Sequence, residues 1–222
     1  MPTALVIGAS RGIGKEFVNL LVQGNWNVYA SARSVKESEQ LGSNGAKGIV
    51  LDVTDPESLA SVGLHLKQVS LDLVLYVAGI YGPEQGAMQA PGAAEFDLVM
   101  HTNVLGAMHS VQLFAPNLSL SKGKFIFISS LMGSVSATQS SFGLVYRCSK
   151  AALNMCVKAA SFDYPDVIFT LLNPGWVRTD MGGSNATISV NQSVSGMLEV
   201  IKGLSIKDSG SFLSYQGKAM QW

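Results

Sequence analysis

Charge of either sign in excess, cysteine and long apolar runs are all scarce in this 222-residue chain. Each scarcity closes off a class of function. Lys plus Arg and Asp plus Glu balance at 15 each with no basic run, which argues against electrostatic capture of nucleic acid. No apolar stretch approaches the roughly 18 residues of a membrane-spanning helix, and no charged n-region precedes a cleavable apolar segment. The expected location is therefore the cytoplasm, with no membrane partner. Cys148 and Cys156 are the only cysteines. They fall eight residues apart on one expected helix, too far along it to bridge each other, and two thiols without a histidine do not make a zinc site. His65, His101 and His109 lie on expected helices without a ligand-like neighbour and read as packing or surface residues, so no metal site is expected. Asn-x-Ser/Thr triplets at Asn117, Asn185 and Asn191 read as chance matches.

What the chain has in quantity is hydrophobic surface, 47% of residues against 14% charged. That surplus implies extra burial, for which subunit contacts are one source. Apolar runs near 3–7, 26–31, 47–51, 71–77, 124–129, 167–172 and 211–214 read as strands. Helix-length segments near 12–24, 56–68, 95–117, 145–163 and 188–203 separate most of them. The alternation predicts an α/β fold, a doubly wound seven-stranded parallel sheet covered on both faces and joined by right-handed crossovers. No linker or repeat divides the chain, so one domain spanning 1–222 is expected.

The first strand, Thr3 to Ile7, runs into Gly8-Ala9-Ser10-Arg11-Gly12-Ile13-Gly14 and then a helical pattern. Glycines there allow positive φ and close approach of backbone to a pyrophosphate, whose charge a helix N-terminus favours. In such sheets the first βα connection carries the phosphate site of a dinucleotide. Farther along, Tyr146 and Lys150 lie four residues apart in a helical segment and so share one face. A cation beside a phenol favours the ionised form, so the Tyr146 pKa is expected below its ordinary value of about 10.

The GxxxGxG spacing and the Tyr-Lys pair together make the chain resemble the short-chain dehydrogenase/reductase family. The resemblance runs from residue 3 to residue 222 and includes Asp52-Val53 after the third apolar run and Ala78-Gly79 after the fourth. Asn103 before Val104 and Gly106, Ser129-Ser130 after the fifth run, and Asn173-Pro174-Gly175-Trp176-Val177-Arg178-Thr179 after the sixth complete the ordered set. Ser-Ser-Leu-Met-Gly-Ser before the tyrosine, Tyr-Arg-Cys-Ser-Lys-Ala-Ala-Leu-Asn around it and Tyr215-Gln216-Gly217 near the end look most like the C-factor-like and sniffer-type carbonyl reductases. Three departures stand out. Ile7 replaces a usual threonine whose hydroxyl braces the glycine loop, and Leu75-Tyr76-Val77-Ala78-Gly79 replaces an Asn-Asn-Ala-Gly whose amides tie the central strands. Ser130 also lies three residues farther from Tyr146 than the commonest spacing, an excess that an extended loop from Ser134 to Phe142 would absorb.

The resemblance implies a single-domain Rossmann fold with strand order 3-2-1-4-5-6-7 and reduction of a small-molecule ketone or aldehyde by hydride transfer. It implies Tyr146 as the proton donor and Ser130 as the group that hydrogen-bonds the carbonyl oxygen. Lys150 would bind the nicotinamide ribose and lower the tyrosine pKa, and Asn103 would hold a water linking the lysine to solvent. Expected cofactor contacts are Gly8, Ser10, Arg11, Gly12, Ile13, Gly14, Arg33, Asp52, Val53, Ala78, Gly79, Asn103, Tyr146, Lys150, Pro174, Gly175, Val177 and Thr179.

The second strand ends at Ala32-Arg33 without the acidic residue that would bond both adenosine ribose hydroxyls of NAD. Arg33 can pair with a 2′-phosphate instead, and the resemblance implies that Arg11 in the glycine loop reaches the same region, which makes NADP(H) the preferred cofactor and NAD(H) the alternative. Residues 181–187 have the composition of a mobile loop, where the family places a substrate lid. Met132, Phe142, Trp176 and Met181 are the candidate pocket lining. Segments 95–117 and 145–163 carry apolar residues on more than one face, and the resemblance makes these helices the interface of a homodimer or homotetramer. Two other readings stay open: a dinucleotide-binding signalling protein of the C-factor type without turnover, and a sugar-nucleotide epimerase or dehydratase, whose extra substrate domain has no counterpart here.

Overall fold

The computed structural model describes residues 1–222 and builds all seven strands into one parallel sheet. In chain order they are β1 (Thr3–Ile7), β2 (Asn27–Ala32), β3 (Lys47–Val50), β4 (Leu73–Tyr76), β5 (Lys124–Ile128), β6 (Ile168–Asn173) and β7 (Ser211–Ser214). Their order across the sheet is β3-β2-β1-β4-β5-β6-β7, the expected one. The order reverses between β1 and β4, which opens a crevice at the carboxyl edge.

Strand periodicity decides which side chains meet which helices. Leu5 and Ile7 of β1, Val74 and Tyr76 of β4, and Phe125 and Phe127 of β5 enter one buried cluster. The intervening Ala4, Val6, Leu73, Leu75, Ile126 and Ile128 enter the other. This two-residue alternation lets one sheet feed two cores. Helices α1 (Gly12–Gln23), α2 (Val35–Ser43) and α7 (Val190–Gly203) cover the second face through Phe17, Val18, Leu41, Val194 and Met197. On the first face, α3 (Pro56–His65), α5 (Gly106–Ser119) and α6 (Leu144–Asp163) supply Leu59, Val62, Phe114, Leu118, Leu153 and Val157. Phe169 of β6 stacks on Phe125 and Phe127 of β5 in that core, and the two β5 rings have centroids 4.4 Å apart.

Two expectations are corrected. The 95–117 segment is not one α-helix: α4 (Ala93–Met100) passes into a π-turn over His101–Leu105 before α5 begins. Each π-turn carries an extra residue, so side chains on either side of it face different directions. The second correction is α2, a helix where none is expected. Only Ser38 and Leu41 of it are buried, too little apolar periodicity to mark it. Its start is well specified, with the Ser34 hydroxyl accepting from the Glu37 N–H at 3.3 Å.

Candidate active site

In a parallel sheet all strands end at the same edge, so Gly8, Arg33, Asp52, Gly79, Ser130 and Pro174 gather along one crevice. The glycine loop is shaped by contacts that exclude side chains. Gly8 has φ +87°, and a Cβ there would lie 2.7 Å from the Ala78 nitrogen. A Cβ on Gly14 would collide with the Gly8 carbonyl oxygen. The hydroxyl lost at Ile7 is supplied from β2, where Ser31 Oγ accepts from the Gly8 N–H at 3.0 Å. Arg11, the N-cap of α1, makes no side-chain cap. The first-turn N–H groups at Gly12, Ile13 and Gly14 are thus left for an anion.

At the ends of β2 and β3, Arg33 is exposed and its charge acts on Asp52. Burial alone would raise the Asp52 pKa, but hydrogen bonds from the Thr54 hydroxyl and N–H, aided by Arg33, hold it below the usual carboxylate range. Val53 is buried against Gly106. Arg11 does not join Arg33: it pairs with Asp180 across the crevice at 3.2 Å, an exposed contact of small strength. Thr179, next to Asp180, packs on Gly12 and accepts from the Gly182 N–H at 3.1 Å.

The expected catalytic set converges between β4, β5 and α6. Gly79 ends the β4 loop, where a Cβ would sit 3.3 Å from Asn103 Oδ1 and 3.5 Å from Lys150 Nζ. Lys150 is buried, donates to the Ile128 carbonyl at 2.8 Å and lies 5.6 Å from the Tyr146 ring centroid. The Ser130 hydroxyl accepts from the Met132 N–H at 3.1 Å and sits close enough to the Tyr146 phenol to favour its ionised form.

The expected low tyrosine pKa is overturned. Burial pushes Tyr146 up to about 12 despite Ser130, with Tyr81 adding to the rise. Burial also brings Lys150 down to about 8. Removal of water is the largest cause of both shifts.

Asn103 is fully buried in the π-turn. Its Oδ1 accepts from the Ile80 N–H, while Nδ2 donates to the Ile80 carbonyl and to Ser149 Oγ, all at 2.9 Å. The lost Asn-Asn amides are replaced in part by Tyr76, whose hydroxyl donates to the Thr102 carbonyl at 2.7 Å.

Supporting residues complete the crevice. Asn173 Oδ1 accepts from the Leu131 and Gly175 N–H groups at 3.3 and 3.2 Å, joining the loops after β5 and β6. Ser129 donates to Asn154 Oδ1 at 2.6 Å, fastening the β5 end to α6. The Ser193 hydroxyl donates to the Pro174 carbonyl at 2.7 Å. Residues 181–187 are tied at their root, with Val177 bridging Ile188 and Trp176 Nε1 donating to the Gly182 carbonyl at 2.8 Å. Phe142, Trp176 and Met181 remain about half exposed around the opening. Ser134–Phe142 forms the expected extended loop, and Ser136 donates to the Trp222 carbonyl through its N–H at 2.9 Å and its hydroxyl at 2.6 Å.

A carbonyl oxygen set between Ser130 and Tyr146 would meet a hydroxyl and a transferable proton, with the lysine alongside. The family model for short chain dehydrogenase matches residues 2–188. Over 123 residues, 54% of this chain and 74% of the relative, the sequence is 43% identical to C-signal of Myxococcus xanthus. The fold is similar to that of NADPH-bound carbonyl reductase from chicken fatty liver, with a TM-score of 0.90 and 35% identity over 100% of this chain and 99% of that one. It is equally similar to carbonyl reductase Sniffer of D. melanogaster, with a TM-score of 0.90 and 27% identity over 100% of both chains.

Proposed function

Because this chain belongs to the short-chain dehydrogenase family, we propose that it is an NADPH-dependent reductase of small ketones or aldehydes, working through the Tyr146 phenol. One observation carries the reading: Tyr146, Lys150, Ser130 and Asn103 meet beside Gly79 at the edge where the glycine loop opens.

The residues fit a dinucleotide. Uncapped N–H groups of α1 and the Cβ-free Gly8 and Gly14 suit a pyrophosphate, and Asp52, Val53, Ala78, Pro174, Gly175, Val177, Thr179 and Ser10 border the same crevice. When bound, NADPH supplies the hydride. Ser130 orients the carbonyl by hydrogen bonding, and Tyr146 gives its proton to the developing alkoxide. Lys150, with Nζ beside the Tyr146 ring, would hold the cofactor's ribose hydroxyls. Burial, which pushes the phenol up to about 12, keeps it protonated and ready to donate. Arg33, exposed at the end of β2, would pair with the 2′-phosphate, in line with the NADPH held by the chicken carbonyl reductase. A cytoplasmic homo-oligomer, with residues 1–222 as one dinucleotide-binding unit, goes with this reading.

The test is NADPH oxidation by the purified protein against a panel of ketones, aldehydes and diketones, with Tyr146→Phe alongside. Turnover that vanishes in the variant supports the reading, and equal turnover in both sinks it. Similarity to C-signal favours a second reading, a dinucleotide-binding signalling protein without turnover. That protein would bind NADPH and leave every carbonyl in the panel unreduced.

A further inference from the structure

An aromatic neighbour covers the ring of Tyr146. Tyr81, two positions past Gly79, stacks on it with centroids 4.7 Å apart and planes inclined by 26°. Phe142, at the end of the Ser134–Phe142 loop, leans on Tyr81 at 6.4 Å and 44°. The Tyr81 hydroxyl reaches Gly143, which precedes α6, and leaves no room for a Cβ there. Its one hydrogen-bond partner is the Met132 thioether at 3.9 Å, a weak acceptor, so the ring contributes more than the hydroxyl.

Tyr81 does not hang from a free loop. Asn103 grips both backbone groups of Ile80, the preceding residue, and spends its remaining amide hydrogen on Ser149, the residue before Lys150. A single buried amide thus fixes the Tyr81 backbone relative to the helix that carries Tyr146 and Lys150.

From this juxtaposition we infer that Tyr81 is a positioning residue for the proton donor. Held through Ile80 by Asn103, its ring keeps the Tyr146 ring oriented toward the substrate carbonyl and keeps water from the phenol. The inference rests on Tyr146 as the proton donor. A stacked aromatic pair is worth about twofold to tenfold in an equilibrium or rate. Burial sets the phenol's ionisation first, followed by Ser130 after β5 and Tyr81 after β4, with Glu84 and Arg147 acting on Tyr81 and the Lys150 ammonium 5.6 Å from the Tyr146 ring centroid. Loss of the Tyr81 ring admits water and moves the phenol back toward its ordinary range.

Tyr81→Leu and Tyr81→Phe in the full chain separate the ring from the hydroxyl. With NADPH and a reduced ketone of the panel, Tyr81→Leu should lower kcat by about threefold to tenfold, leave KM for NADPH unchanged and move the alkaline limb of kcat to lower pH. Tyr81→Phe should stay within about twofold of the parent. Ring-labelled tyrosine NMR gives a readout independent of turnover: the Tyr146 signals, assigned from Tyr146→Phe, should move in Tyr81→Leu and hold in Tyr81→Phe. Unmoved Tyr146 signals, parental kcat in Tyr81→Leu, or a change confined to KM for the ketone would each overturn the inference. Turnover retained in Tyr146→Phe would instead overturn the donor assignment beneath it.

Discussion

At the scale of single residues, burial outweighs charge in the site. Tyr146 and Lys150 are one turn apart, yet the loss of water shifts each toward its neutral form. For the lysine this has a measurable sign. Its pKa of about 8 lies below the ordinary lysine value, so it is charged below pH 8 and neutral above. A neutral amine holds ribose hydroxyls poorly, and kcat/KM for NADPH reports the free enzyme. That parameter should fall as pH rises through about 8. A profile flat to pH 10 would contradict the role given to Lys150. Tyr146→Phe should abolish reduction with NADPH affinity kept, since the ring stays and only the transferable proton goes. Lys150→Ala should weaken cofactor binding and turnover together. Arg33→Asp tests the end of β2: a charged hydrogen bond contributes roughly 1.5 to 3 kcal/mol, so the preference for NADPH over NADH should shrink by about tenfold to a hundredfold. An unchanged ratio in steady-state efficiencies would remove Arg33 from the 2′-phosphate site.

Among elements, the turn that departs from α geometry is the one that carries Asn103. Tyr76 reaches it from β4, its buried hydroxyl donating to the Thr102 carbonyl. Tyr76→Phe keeps the ring and leaves that carbonyl short of a partner, at a cost of about 1 to 2 kcal/mol. The melting temperature should drop by roughly 2 to 8 °C. An unshifted midpoint in calorimetry would mean that Tyr76 packs here without bracing the turn. The seven strands were legible because strand ends, glycines and apolar runs leave local marks, whereas their order came from the family resemblance. A π-turn leaves none, since His101–Leu105 has the composition of any half-buried helix. Asn103 was legible as a site residue, but its grip on Ile80 was not, because the partners are 23 positions apart and one of them is backbone. Ser31 replacing the hydroxyl missing at Ile7, and Tyr81 covering Tyr146, escaped for the same reason: each contact is made by the fold, not by neighbours in sequence.

For the whole molecule, the surface left by α4 to α6 is more apolar than solvent favours. Phe96, Leu98, Leu105 and Met108 stand exposed between Ala93 and Ser119, and Met155 and Phe162 on α6 are 69% and 75% exposed. Met155 and Phe162 are seven residues apart, two turns along one stripe of α6. Clustered apolar exposure of this kind marks association surfaces. A self-complementary patch crossing a two-fold axis buries each of these residues twice and closes the assembly at a dimer. A stable interface needs about 1,600 Å² in total, within reach of two helices paired with their symmetry mates. Light scattering at micromolar concentration should therefore give at least twice the 23.5 kDa chain mass. Met155→Glu with Phe162→Glu places like charges close together about the axis and should shift the protein to monomer. Neither side chain enters the catalytic crevice, so NADPH affinity should survive that shift. A monomeric parent protein would show that these helices face solvent, and a double variant still at the parent's mass would place the interface elsewhere.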